Sequence, residues 1–196
     1  MRQAATITAV GTREKLLEAA ITLMRRSGLS GAGINEIVRE SRAPKGSVYH
    51  FFPEGKQQIV KEGLEEYSGR VVEFIDSTLS TQRDPSKKIK ALFNAFAKRI
   101  EAGEFRHSCP VGTVCLDLDL ELEVLRPVVA GAFSEYMDVI AAHFPFKDRE
   151  RSRSFAGLVL TTIEGAYIRG RADRSAKPFR EAGAWLAQLA QRATMP

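Results

Sequence analysis

The sequence predicts an all-α chain in which a small three-helix head is joined by one long helix to a larger helical bundle. Three observations lead there. Residues 34–52, INEIVRESRAPKGSVYHFF, hold two short amphipathic segments around a tight turn. Elsewhere, apolar residues recur at helical spacing through nearly every segment that Gly, Pro or a capping residue bounds. Positive charge is also uneven. Residues 1–60 hold nine Lys/Arg against five Asp/Glu, while the other 136 hold twenty against nineteen, so most of the net +5 falls on the stretch with the helix pair. A chain of 196 residues with 44% hydrophobic and 27% charged content can bury a real core, as one large domain or two small ones.

Taken in order, residues 1–11 read as a loose arm ending in Gly11, and Thr12 as the simple cap of a first helix to about Arg26. Leu16, Leu17, Ala20, Ile21 and Met24 form its inward stripe, and Ser27-Gly28 ends it. Ile34, Ile37 and Val38 give the second helix its inner face, with only Gly33 or Ser30 to cap it. After the turn Ser41-Arg42-Ala43, Pro44 suits the first turn of a short third helix, where a missing N–H costs nothing. Pro53-Glu54-Gly55 stops that helix, and Lys56 opens a long one to about Leu79. Its stripe (Ile59, Val60, Leu64, Tyr67, Val71, Phe74, Ile75, Leu79) is too long for a three-helix head to cover. The expected division is therefore a head over 1–55 and a larger helical bundle over 56–196, to which the ligand-binding and dimerisation candidates below belong.

Within the bundle, a helix is expected from Asp84-Pro85 to about Ala102, another from about Arg126 to Ala142, and two more over about 148–170 and 178–193. Residues 103–120 are the least regular. LDLDLELE at 116–123 alternates like a strand, yet one strand has no partner among helices, so a short helix followed by a turn is expected. No apolar run approaches the ~18 residues of a membrane span, and MRQAATITAV lacks the apolar stretch of a secretory signal, which places the chain in the cytoplasm. Cys109 and Cys115 are six apart, which matches neither a CxxC pair nor a usual zinc set, and they read as free thiols. No metal or cofactor is expected.

A two-turn helix held at a wide angle by its neighbour is how helix-turn-helix proteins present side chains to a DNA groove. Lys45, Ser47, Tyr49 and His50 supply polar tips there, with Lys45 suited to a guanine edge or phosphate. Tyr49 and Lys56 are read as phosphate contacts, and Arg39, Arg42 and Thr12 as additions from flanking elements. Val48 and Phe52, four apart, are expected to face inward. One such helix is too small for tight specificity, so a dimer on an operator with two half-sites is expected.

The pattern Leu17, Ala19, Ala20, Met24, Gly28, Ile34, Ile37, then Lys45-Gly46-Ser47-Val48-Tyr49-His50, Phe52 and Gly55-Lys56, resembles the TetR-type transcriptional regulators. FPEGK at 52–56 and CPVGTVCLDL at 109–118 resemble the LmrA/YxaF-like branch of that family. The resemblance implies an all-helical subunit, a homodimer through the last two long helices, and repression relieved by a small molecule. It places the family's recognition-helix tyrosine on Tyr49, its phosphate-contacting lysine on Lys56 and the helix-start lysine on Lys45. The chain departs from the pattern at Ala32, where a Thr cap is common, at Arg42 in place of the turn glycine, at Pro44 in place of Ser, and at Phe51.

In the bundle, Phe74, Phe93, Phe96, Phe105, Phe133, Tyr136, Met137 and Tyr167 offer aromatic and soft surface for an apolar or aromatic effector, with Phe144 close in type. Phe155, Leu158, Val159, Thr162, Ile163, Phe179, Leu186, Leu189 and Ala190 on the last two helices are the expected dimer seam. Asp117, Asp119, Glu121 and Glu123 read as a solvated acidic turn, with a cationic ligand as the lesser alternative. An enzyme is disfavoured. There is no GxSxG, P-loop, Rossmann or HExxH pattern, and the histidines lie apart at 50, 107 and 143. An activator of the same fold and a helical interaction protein that does not bind DNA stay open.

Overall fold

The computed structural model describes residues 2–118 and 120–193, with side chains over 11–118 and 122–192. Among the described residues, the regular structure is helical throughout: α1 (Arg2–Ser27), α2 (Ile34–Ser41), α3 (Ser47–Phe51), α4 (Lys56–Ser80), α5 (Pro85–Ala102), α6 (Pro110–Leu116), a 3-10 helix (Leu120–Leu125), α7 (Arg126–Ala142), α8 (Arg149–Asp173) and α9 (Lys177–Ala193). None of these helices is long and apolar enough to cross a membrane.

Two expectations are corrected. Residues 2–11 are not a loose arm, because α1 begins at Arg2 and runs through Gly11, so Thr12 lies inside the helix rather than at its cap. Gln, Ala and Ile favour or tolerate helix there, and a single glycine costs only about 1 kcal/mol, too little to end an otherwise continuous helix. The period-two stretch near 120 forms a 3-10 helix over Leu120–Leu125, and Asp119 lies outside the described residues.

Contacts group the chain into two units, Met1–Tyr67 with Pro110–Ala130, and Ser68–Cys109 with Gly131–Pro196. The expected 55/56 line follows the motif, whereas this grouping follows packing, and α4 contains residues of both units. In the first unit Leu16, Leu17, Ala20, Ile21, Leu23 and Met24 of α1 are buried, as are Ile37, Val48, Phe52, Ile59, Val60 and Leu64. Gly63 lets α4 approach α1, since a Cβ there would stand 3.0 Å from the Met24 methyl.

The second unit packs around α5, α8 and α9. Asp84 caps α5 by accepting from the Lys87 N–H at 2.8 Å, with Pro85 in the first turn. Asp148 caps α8 in the same way through Arg151. Helix α9 lies directly on α5, where a Cβ on Gly183 would meet the Phe93 Cβ at 2.6 Å and its Cγ at 2.9 Å. Ring edges meet ring faces along Phe74, Phe96, Tyr167 and Phe179, with centroids 5.2, 6.1 and 5.1 Å apart.

Candidate nucleic-acid interface

Helix α2 has an extended Gly33 as its N-cap and no side-chain capping bond. It stops at Arg42, whose φ of 56° is left-handed. Glycine would adopt that conformation without strain, and for arginine it costs roughly 1–2 kcal/mol. Ser41 Oγ secures the turn by donating to the Val38 carbonyl at 3.1 Å and accepting from the Ala43 N–H at 3.2 Å. The third helix starts later than expected. Pro44 to Ser47 form a turn in which the Ser47 N–H donates to the Pro44 carbonyl at 2.9 Å, and α3 begins at Ser47, with Lys45 just before it.

Val48 and Phe52 anchor α3, both fully buried, and the Phe52 N–H donates to the Val48 carbonyl at 2.7 Å. The Arg13 guanidinium lies over the Phe52 ring at 5.1 Å and ion-pairs with Glu62, so this α1 side chain links the end of α3 to α4. This anchoring turns the other face outward. Tyr49 is 59% exposed, Lys45 and His50 are exposed, Ser47 and Phe51 are half-buried, and His50 meets Phe51 edge-on at 4.8 Å. Gly55, with φ +68°, closes the turn, and a Cβ there would lie 3.5 Å from the Tyr49 ring.

The flanking candidates are placed differently from one another. Arg39 is exposed and Thr12 half-buried. Arg42 is exposed and borders a cleft also lined by Glu14, Lys15, Glu18 and Glu40. Lys56 is half-buried, and its ammonium donates to the Leu29 carbonyl at 2.8 Å. That contact occupies one of three N–H donors and leaves the side chain with a structural duty in the α1–α2 turn.

Asp117 corrects the solvated reading of the acidic turn. Its Oδ2 accepts from the Leu29 N–H at 2.6 Å and the Ser30 N–H at 3.2 Å. Glu123 ion-pairs with Arg126 at the surface; the side chains of Asp119 and Glu121 lie outside the described residues.

In the second unit, Phe93 and Tyr136 are fully buried, Phe96 and Tyr167 nearly so, and Phe74, Phe105, Phe133 and Met137 are half-buried. The residues expected at a dimer seam differ in burial. Phe155, Val159, Ile163, Phe179, Leu186 and Ala190 are buried within their own subunit, because α8 and α9 carry apolar residues on two sides and the subunit's core takes one. Thr162 is half-buried. Leu158 and Leu189 are exposed at 45% and 44%, as are Ile168 and Trp185 at 64% and 73%, two residues outside the expected set. Spacing could have found the last, since Trp185 and Leu189 lie four apart on the side of α9 opposite Ala187 and Ala190.

Glu164 of α8 also escaped the sequence reading. Burial pushes its carboxyl up to about 7, and a hydrogen bond with Cys109 acts the other way. Cys109 is buried and Cys115 exposed. Among the described residues no group of three or more His, Cys, Asp or Glu is placed to hold a metal ion.

An exposed reading helix on a buried anchor, in an all-α chain, defines a helix-turn-helix DNA-binding protein. Residues 16–62 match the model of the bacterial regulatory proteins of the tetR family, and residues 85–185 that of the LmrA/YxaF-like transcriptional regulator C-terminal domain. The chain belongs to the TetR family of transcriptional regulators, in its LmrA/YxaF-like branch. It is 31% identical over 171 residues to the HTH-type transcriptional regulator YxaF of Bacillus subtilis (strain 168), covering 86% of this chain and 89% of that one. To the regulator LmrA of the same organism it is 28% identical over 183 residues, covering 92% and 97%. In fold it is similar to the regulatory protein TetR from Rhodobacter sphaeroides, with a TM-score of 0.81, 19% identity, and 89% and 96% of the two chains covered. Members of this family are regulators and not enzymes, and membership also sets aside the reading as an interaction protein that does not bind DNA.

Proposed function

We propose that the chain is a homodimeric cytoplasmic repressor that binds an operator of two half-sites and is released by an apolar or aromatic small molecule. The observation that carries the reading is the two-faced α3, with Val48 and Phe52 buried and Tyr49, His50 and neighbouring Lys45 turned outward. Lys45, Ser47 and His50 are assigned to base edges or phosphate. Tyr49 and the remaining donors of Lys56 are assigned to phosphate, with Arg39, Arg42 and Thr12 contributing at the margins. Each good base contact is worth ~1–3 kcal/mol of discrimination, so a single short helix needs a second copy for specificity.

The exposed apolar side chains Leu158, Ile168, Trp185 and Leu189 on α8 and α9 supply the seam for that copy. The effector is assigned to the aromatic row of Phe74, Phe96 and Tyr167, with half-buried Phe133 and Met137 as further candidates. It acts by favouring a conformation of the dimer whose reading heads do not fit the operator. Sedimentation with and without a Trp185→Glu, Leu189→Glu pair tests the seam, and an unchanged dimer would reject it. Reporter output from the bound promoter, with and without the gene, tests the sign. Lower output with the gene supports repression, and higher output makes the chain an activator.

A further inference from the structure

The turn between α1 and α2 is held from two sides by side chains remote in sequence. Leu29 has its carbonyl bound by the Lys56 ammonium at 2.8 Å and its N–H bound by Asp117 Oδ2 at 2.6 Å, and the same carboxylate oxygen takes the Ser30 N–H at 3.2 Å. One helical turn before Asp117, Thr113 Oγ1 donates to the Met24 carbonyl at 2.8 Å. Residues four apart at the end of α6 thus supply an acceptor for two backbone amides of the turn beyond α1 and a donor to the Met24 carbonyl, which also takes the Gly28 N–H at 3.0 Å. The backbone is shaped for this approach. Gly28 has φ +67°, and a Cβ there would come within 2.4 Å of Asp117 Oδ2.

We propose that Asp117 is a positioning residue for operator recognition, fixing the α1–α2 turn against Lys56 and through it the pose of α2 and α3. The inference rests on the operator-reading role proposed above. Asp117 does not touch DNA in this scheme; it restricts the head to the orientation in which α3 side chains meet base edges. Base recognition demands that orientation, whereas attraction to phosphates tolerates its loss. Hydrogen bonds donated by backbone N–H groups to a carboxylate are of the stronger, charge-assisted kind.

The test uses full-length wild type, Asp117→Ala and Asp117→Asn against two duplexes, one enriched by the wild-type protein from a randomised library and one of scrambled sequence. For Asp117→Ala, affinity for the enriched duplex should fall about tenfold and affinity for the scrambled one by less than about twofold, with the salt slope unchanged. Exchange of the Leu29 and Ser30 amides should speed up by about tenfold or more. Asp117→Asn keeps one acceptor oxygen and should recover part of both losses. Equal specificity in wild type and Asp117→Ala overturns the proposal. So does a parallel fall on both duplexes together with early unfolding, which would make the residue structural only. Should the wild type enrich no sequence, the operator-reading role fails instead, and unchanged amide exchange at Leu29 and Ser30 then separately rejects the clasp.

Discussion

Replacing Glu164 by glutamine should stabilise the protein at alkaline pH and leave it nearly unchanged in acid. The carboxyl sits on α8 with its pKa raised by burial from the usual 4.5 to about 7, the hydrogen bond with Cys109 working in the opposite direction. Below about pH 4.5 both the folded and unfolded chains hold the proton, so the group contributes nothing to the difference. As pH rises toward 7 the unfolded carboxyl ionises first, and folding stability falls through that window. The interval from 4.5 to about 7 corresponds to about 3 kcal/mol at full effect. Glutamine remains neutral throughout and keeps an acceptor oxygen for the Cys109 thiol. Urea unfolding of both proteins at equal concentration, from about pH 5 to pH 8, should show a gap below about 1 kcal/mol at the acid end that widens to about 3 kcal/mol at the alkaline end. Other titrating groups are common to both and cancel in the difference. A gap independent of pH, or a glutamine variant weaker at pH 8, would refute the reasoning.

Three further outcomes are expected. Gly183→Ala forces a methyl onto Phe93, where the gap is 2.6 Å, and should destabilise by about 1–3 kcal/mol in urea titration. Arg42→Gly removes a left-handed arginine at φ 56° and should raise stability by about 1 kcal/mol, while operator affinity changes little because Arg42 is assigned only to the margin of the interface; a loss of stability would contradict it. Lys56→Ala should weaken binding to every duplex, and the salt dependence separates its two duties. A slope lower by about 1 marks a lost phosphate contact, whereas lower affinity at unchanged slope leaves only the bond to Leu29. Undiminished binding would remove Lys56 from the interface altogether.

Helix positions and the head's inner face were legible because a 3.6-residue period states them directly. Val48 and Phe52 lie four apart and are both buried, and Asp84-Pro85 announced the start of α5. The N-terminal arm was misread because Gly11 and Thr12 are local stop and start signals, and continuous helix propensity outweighed them. Burial on α8 and α9 was only partly legible because both helices are apolar on two sides. Periodicity cannot say which side the subunit itself consumes, and here Val159 and Ile163 go inward while Leu158 and Ile168 stay out. Asp117 was illegible for another reason. Its partners are the amides of Leu29 and Ser30, 88 and 87 positions away, and no local pattern records such a pairing.

The most direct measurement is selection of duplexes from a randomised library by the purified full-length protein, followed by titration of the enriched sequence across a salt series. Enrichment of one site with two related half-sites, held at least about a thousandfold more tightly than scrambled DNA and weakening steeply as salt rises, is the expected result. No enriched sequence, or attraction indifferent to salt, would contradict the assignment of α3 as the reading helix.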